Sequence, residues 1–99
     1  MNTRSSNTER TVLGTLIARL RQIGGAGYLY GSSTGQLRPD HDIDLLVILP
    51  ENVHALLYSA VSELQSSCPF LLHPTVVTTT QFDTNPRIRE LADSGVRVW

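Results

Sequence analysis

The sequence predicts a single α+β domain in which helices pack against a small mixed β-sheet. Its 99 residues are enough for one modest core, and 40% apolar and 17% charged residues are typical of a globular chain. The patterns along the chain run helix, strand, strand, helix, strand, helix, strand, without an internal repeat. One strand is apolar on both faces, which is typical of a central strand covered on both sides.

The composition excludes several classes of function. A net charge of −1 and a pI near 6.2 supply no field that attracts nucleic acid, so we expect no direct DNA binding. All eight basic residues are arginine, which rules out lysine chemistry. The single cysteine, Cys68, rules out an internal disulfide and a cysteine-cluster zinc site. Because no long apolar run and no leader pattern is present, we expect a cytoplasmic protein without a membrane segment.

The first helix follows a polar start of the chain. Residues 1–7 have no pattern and are expected to be disordered, whereas residues 8–99 form the predicted domain. Ser6 to Glu9 has the spacing of a capping box, and Gly24-Gly25 ends the helix. The apolar stripe of this helix consists of Val12, Leu13, Leu16, Ile17, Leu20 and Ile23.

Two strands come next. Gly27 to Tyr30 predicts a short strand that leads into the Gly/Ser-rich segment Gly31 to Gly35. Asp42 to Leu49 predicts the central strand, since every residue after Asp44 is apolar.

A second helix, a third strand and a short third helix complete the pattern. Pro50 precedes the second helix, whose polar side carries His54, and whose apolar stripe is Val53, Leu56, Leu57, Ala60, Val61 and Leu64. Phe70 to Thr80 is rich in β-branched residues and predicts a strand, with Pro74 at a sheet edge or a bulge. Asn85-Pro86 begins a short helix with Ile88 and Leu91 facing inward, Gly95 follows it, and Val96 to Trp99 can add a last strand.

Paired carboxylates stand at the start of the predicted central strand. Asp42 and Asp44 are two residues apart, so their side chains lie on one face of the strand. Two such charges repel unless a cation lies between them, and Mg²⁺ takes one or two carboxylates together with phosphates and water. The alternative is that both residues only flank a buried strand. An EF-hand is excluded because Leu45 stands where that loop needs glycine.

The segment from Gly31 to Gly35 follows a strand and is able to bind a phosphate. Glycine lets a phosphate approach the backbone N–H groups, and the Ser32 hydroxyl is a further donor. The alternative is an ordinary turn. No Gly-Lys-Ser/Thr follows, so the segment is not a Walker A loop.

At these residues the sequence resembles a known family, the minimal nucleotidyltransferases of the DNA polymerase beta superfamily. The matching residues are Tyr30-Gly31-Ser32, then nine residues, then Asp42-Ile43-Asp44 at the start of an apolar strand. Gln36 to Val47 is similar to the family's Arg-Pro-Asp-Ser-Asp-Ile-Asp-Leu-Leu-Val, and the element order agrees from Thr8 to Trp99.

The resemblance implies a role for each matched residue. Gly31, Ser32 and the adjacent Ser33 would hold the triphosphate of an NTP, with ATP expected, and Arg38 is a candidate phosphate contact. Asp42 and Asp44 would be the catalytic carboxylates and would bind one or two Mg²⁺ ions.

The family also has a third carboxylate on a later strand, and here the sequence departs from it. Residues 70–82 contain no Asp or Glu, and the expected position holds His73, or Thr75 if the register differs by two. Asp83 lies beyond the predicted strand.

Two functions follow from the resemblance and the departure. The first is Mg²⁺-dependent transfer of a nucleoside monophosphate from an NTP to a hydroxyl acceptor. The second is a catalytically weakened module that binds a nucleotide or a partner, as the antitoxin half of a pair with a helical HEPN-type protein. We expect this partner or a homodimer to contact Arg97 and Trp99, the alternative being that Trp99 covers Leu91 of the last helix.

Overall fold

A computed structural model describes residues 13–31, 42–68 and 71–99 of the chain. Within these residues the elements follow the predicted order, with one additional helix after the third strand. They are a helix through residues 13–21 (α1), β1 (Ala26–Tyr30), β2 (Asp42–Ile48), a 3-10 turn (Glu51–Val53), α2 (His54–Gln65), β3 (Leu71–Val77), α3 (Thr79–Thr84), α4 (Pro86–Ser94) and β4 (Val96–Arg97).

The four strands form one mixed sheet in the order β3-β2-β1-β4, which confirms the predicted fold class. β1 pairs antiparallel with β2 and with β4, whereas β2 and β3 are parallel. A parallel pair needs a crossover connection, and α2 provides it. β2 therefore occupies an interior position, as its two apolar faces predict.

One face of the sheet packs against α1 and α2. The two helices and the strands contribute a single cluster of buried side chains, which accounts for the apolar stripes of both helices. Its members are Leu16, Leu20, Leu29, Ile43, Leu45, Val47, Leu49, Leu57, Ala60 and Val61.

α3 and α4 cover the other face of the sheet only in part. Leu46 of β2, Val77 of β3 and Ala92 of α4 are buried together, and Tyr28 stacks on Phe82 with ring centroids 6.5 Å apart. The start of β2 is not covered, because the Asp42 side chain retains 46% of its exposure. Asp42, Asp44 and His73 lie at this exposed start of β2.

β3 forms an edge of the sheet, which confirms the interpretation of Pro74. Pro74 has no N–H to offer a further strand, and the Leu72 N–H donates to Gln65 Oε1 at 2.7 Å. Edge strands with free N–H groups invite pairing with other chains, so both features protect this edge.

The third strand is shorter than the sequence predicts, and an extra helix follows it. β3 ends at Val77 instead of Thr80, and Thr78 begins α3. The Thr78 hydroxyl accepts from Gln81 N at 3.1 Å, while Gln81 Oε1 accepts from Thr78 N at 2.8 Å. This capping box outweighs the β-propensity of the threonine run.

Three side chains differ from their expected positions. Leu56, expected in the apolar stripe of α2, is 57% exposed. His54, expected in solvent, places Nε2 at 2.8 Å from the Leu49 carbonyl oxygen and is half-buried. Trp99 neither protrudes nor covers the last helix, because its ring lies against Gly27 and its Nε1 donates to the Gly24 carbonyl at 3.0 Å.

The position of Trp99 follows from β4. Val96 and Arg97 pair with Leu29 and Tyr28 of β1, and this pairing carries the chain end back toward Gly27. The Val98 N–H then donates to the Gly27 carbonyl at 2.8 Å.

The first helix ends where the sequence predicts, since Gly24 and Gly25 both have positive φ, at 107° and 72°. The capping box at Ser6–Glu9 and the expected disorder of residues 1–7 lie outside the described residues. None of the helices in the described ranges combines the length and the apolar character needed to span a bilayer.

Candidate functional site

The candidate site lies at the uncovered start of β2. Asp42 is the first residue of this strand and Asp44 is the third, so both side chains lie on the face that α3 and α4 cover only further along. The next residue on that face is Leu46, which is fully buried. Burial of the apolar part of β2 thus fixes the strand, and its polar start presents the two carboxylates at the surface.

β3 brings His73 to the same place. The parallel register pairs His73 with Asp44, and the His73 Nε2 atom lies 3.3 Å from Asp42 Oδ2. The His73 side chain is 52% exposed, so a ligand has access to both partners. Of the two residues predicted for the third position, His73 therefore lies beside the carboxylates.

β1 lies on the other side of β2 from β3 and His73. It ends at Tyr30, and Gly31 follows it. The register pairs Tyr30 with Asp44, and Gly31 has a φ of 64°. A Cβ atom at residue 31 would lie 2.9 Å from Asp44 Oδ2. The first residue of the predicted phosphate-binding turn thus contacts the second carboxylate, and only glycine fits there without strain.

Tyr30 and Thr75 form the inner wall of the site. The Tyr30 hydroxyl and the Thr75 Oγ1 lie 3.3 Å apart, although they belong to strands on either side of β2. Tyr30 pairs with Asp44 and Thr75 with Leu46, so this contact crosses β2 where its polar start meets the buried cluster. Thr75, the second candidate for the third position, therefore lies deeper along the face than His73.

The sequence did not assign this role to Tyr30. Its aromatic ring packs against the buried cluster of Leu46, Val77 and Ala92, and its hydroxyl reaches a residue 45 positions away. The only available signal was the alternation of Tyr28 and Tyr30 on one face of a strand, which says nothing about a partner on β3.

Other predicted residues do not join the site or cannot be placed. Asp83 lies in α3, which follows the far end of β3, and lines a shallow cleft of about 260 Å³ with residues of α4. Ser32, Ser33 and Arg38 lie outside the described residues.

The donor set of the site is suited to a cation that keeps part of its hydration shell. Within residues 13–31, 42–68 and 71–99, no three His, Cys, Asp or Glu side chains lie close enough to enclose a metal ion by themselves. Mg²⁺ commonly binds through one or two carboxylates, with substrate phosphates and water as the other ligands. Asp42 and Asp44 fit that pattern, and Gly31, the first residue of the segment expected to bind phosphate, lies next to Asp44.

Comparison with known proteins identifies the fold and the general chemistry. No curated protein matches the chain. Residues 15–98, which include every described element of the site, match the family described as the nucleotidyltransferase domain. Because the match spans most of the 99 residues, the chain belongs to the nucleotidyltransferase domain family.

Proposed function

We propose that this domain transfers a nucleoside monophosphate from an NTP, with ATP expected, to a hydroxyl group of an acceptor. The observation that carries the proposal is the contact between Gly31 and Asp44 at the open end of the sheet. It puts Gly31, the first residue of the segment proposed to bind phosphate, beside a carboxylate suited to a cation, in a chain of the nucleotidyltransferase domain family.

The residues have separate tasks in this reaction. Gly31, with Ser32 and Ser33 after it, would bind the β- and γ-phosphates through backbone N–H groups, and Arg38 would add a charged contact. Asp42 and Asp44 would hold Mg²⁺, which supplies charge neutralisation and alignment of the triphosphate when bound. The acceptor hydroxyl loses its proton to water as its oxygen forms a bond to the α-phosphorus. The bond between the α-phosphorus and the oxygen that bridges it to the β-phosphate breaks, and pyrophosphate leaves.

His73 is the reason to keep a second candidate function. β3 carries His73 and Thr75 at the two positions predicted for the third carboxylate of the family, and the described part of β3 has no acidic residue. A domain with this change can bind a nucleotide and still transfer it slowly or not at all. The second candidate is therefore a nucleotide- or partner-binding module, the antitoxin half of a pair with a helical HEPN-type protein.

The experiment that tests the proposal replaces both carboxylates. Asp42→Asn with Asp44→Asn is expected to abolish Mg²⁺-dependent NTP binding and to leave the fold intact, since both residues lie at an exposed strand start. Binding of each NTP and release of pyrophosphate are measured in the same Mg²⁺ titration.

Asp83→Asn with Asp93→Asn is the matched control. It removes the same charge from the cleft between α3 and α4, away from the sheet face, and is expected to preserve binding. Equal Mg²⁺-dependent NTP binding by the parent and the Asp42/Asp44 variant would overturn the proposal. Binding without any pyrophosphate release in the parent would favour the second candidate.

The expected partner remains a homodimer or a helical HEPN-type protein. The position of Trp99 changes the surface involved, because its ring packs against Gly27 and leaves Val96 and Arg97 as the exposed residues of β4. Sedimentation of the chain alone and mixed with a candidate partner tests this. Sedimentation as a monomer, both alone and in the mixture, would contradict the expectation.

A further inference from the structure

We propose that Asp42 and His73 form a two-donor chelate that binds a transition-metal dication of the Co²⁺ class more tightly than Mg²⁺. The inference rests on the proposed function, since it names the cation class that the same site prefers. It concerns a residue of this chain, His73, that stands where the family has a carboxylate.

The separation of the two donor atoms is the first argument. Ligand atoms about 2.1 Å from a metal are about 3.0 Å apart at octahedral angles and about 3.4 Å apart at tetrahedral angles. Asp42 Oδ2 and His73 Nε2 are 3.3 Å apart, within this range. The two donor atoms are therefore close enough for one ion to bind both of them.

The chemistry of the donors is the second argument. Carboxylates suit Mg²⁺, Ca²⁺ and Mn²⁺, whereas imidazole nitrogen suits later transition metals and adds little to a magnesium site. Replacing a family carboxylate with His73 exchanges one hard oxygen donor for nitrogen. The preference of the site thus shifts toward metals that accept one nitrogen and one or more oxygens.

Accessibility is the third argument. Both side chains are about half exposed, at 46% for Asp42 and 52% for His73, so their mutual attraction is screened by solvent and contributes little. Because the described residues offer no three-residue cage, phosphate oxygens and water would complete the coordination.

The test is a titration of the whole chain with each metal alone. Co²⁺ binding is followed by its visible absorption, and Mn²⁺ and Mg²⁺ binding by calorimetry, without nucleotide and without turnover. The variants are His73→Asn, which removes the nitrogen ligand, and His73→Asp, which restores a carboxylate. His54→Gln is the matched control, because His54 lies at the other end of β2 against the Leu49 carbonyl.

The expected result is specific to the metal. His73→Asn is expected to weaken Co²⁺ binding about 10-fold or more, with Mg²⁺ binding nearly unchanged, and His73→Asp is expected to favour Mg²⁺. The His54 variant is expected to bind every metal as the parent does. Since His73 is exposed, circular dichroism is expected to show the same fold in each His73 variant.

Two outcomes would overturn the inference: equal Co²⁺ affinity of the parent and His73→Asn, or a parent that binds Mg²⁺ as tightly as Co²⁺. Failure of the proposed function is a separate result. If Asp42→Asn with Asp44→Asn abolishes NTP binding and His73→Asn keeps its Co²⁺ affinity, only the chelate is wrong. If that double variant keeps NTP binding while His73→Asn loses Co²⁺, the chelate stands and the assigned nucleotide site is wrong.

Discussion

Gly31→Ala separates the structural and functional roles of the turn at the end of β1. Gly31 has a φ of 64°, and a Cβ atom there would lie 2.9 Å from Asp44 Oδ2. The substitution therefore has two consequences, strain in the backbone and displacement of the Asp44 carboxylate. Each consequence has its own magnitude and its own measurement.

The backbone strain that Gly31→Ala introduces lowers the free energy of unfolding by a moderate amount. An L-residue in the left-handed region costs about 1–2 kcal/mol, and replacing glycine by alanine recovers about 0.4–1 kcal/mol by restricting the unfolded chain. The net loss in the free energy of unfolding is about 1 kcal/mol. For a domain of this size that loss corresponds to a decrease in Tm of about 4–8 °C.

The displacement of the Asp44 carboxylate affects function more than the backbone strain does. Optimal contacts with carbon begin at about 3.5 Å, so Asp44 Oδ2 must move away by about 0.6 Å. Ligand distances in metal sites stay within about 0.2 Å of their usual values, and a displacement of about 1 Å near reacting groups can cost about 100-fold in rate. We therefore expect Gly31→Ala to lower Mg²⁺-dependent NTP affinity at least about 10-fold.

Gly24→Ala is the matched control. Gly24 also has a positive φ, 107°, but a Cβ atom there would meet nothing within 4 Å. Thermal unfolding is expected to show a loss of stability in both variants, and calorimetric titration with Mg²⁺ and NTP a loss of binding in Gly31→Ala alone. Unchanged binding in the Gly31 variant would refute the reasoning, as would equal loss in both.

Three further substitutions test other parts of the structure. His73→Asp places a third carboxylate beside Asp42 and is expected to raise pyrophosphate release, measured in a coupled assay; a parent that already turns over at about 1–10³ s⁻¹ would argue against this. Thr78→Val removes the hydroxyl of the α3 capping box and is expected to lower the free energy of unfolding by about 1 kcal/mol in urea, an expectation that an unshifted midpoint would exclude. Trp99→Ala removes the half-buried ring over Gly27 and is expected to lower the free energy of unfolding by about 2 kcal/mol in the same assay. A loss of self-association at unchanged stability would instead identify Trp99 as an interface residue.

Local patterns predicted the elements because the signals for them lie within a few residues. The apolar run after Asp44 predicted the central strand, and Asn85-Pro86 predicted the start of α4, where Asn85 Oδ1 accepts from Arg87 N. The missed helix α3 had a signal of the same range, the spacing of Thr78 and Gln81. Two local preferences compete here. The β-branched run predicts a longer strand, whereas the capping box of Thr78 and Gln81 begins a helix.

The sequence by itself determined the family, the mixed sheet with β2 inside it, and the face shared by Asp42 and Asp44, since two residues along a strand always return to the same side. Only the tertiary structure decided what stands beside that face. Lateral register between strands far apart in sequence places His73 against Asp42, Gly31 against Asp44 and the Tyr30 hydroxyl near Thr75. Register is set by how the apolar faces of β1, β2 and β3 pack together, which is a property of the whole core and is not encoded in any one segment.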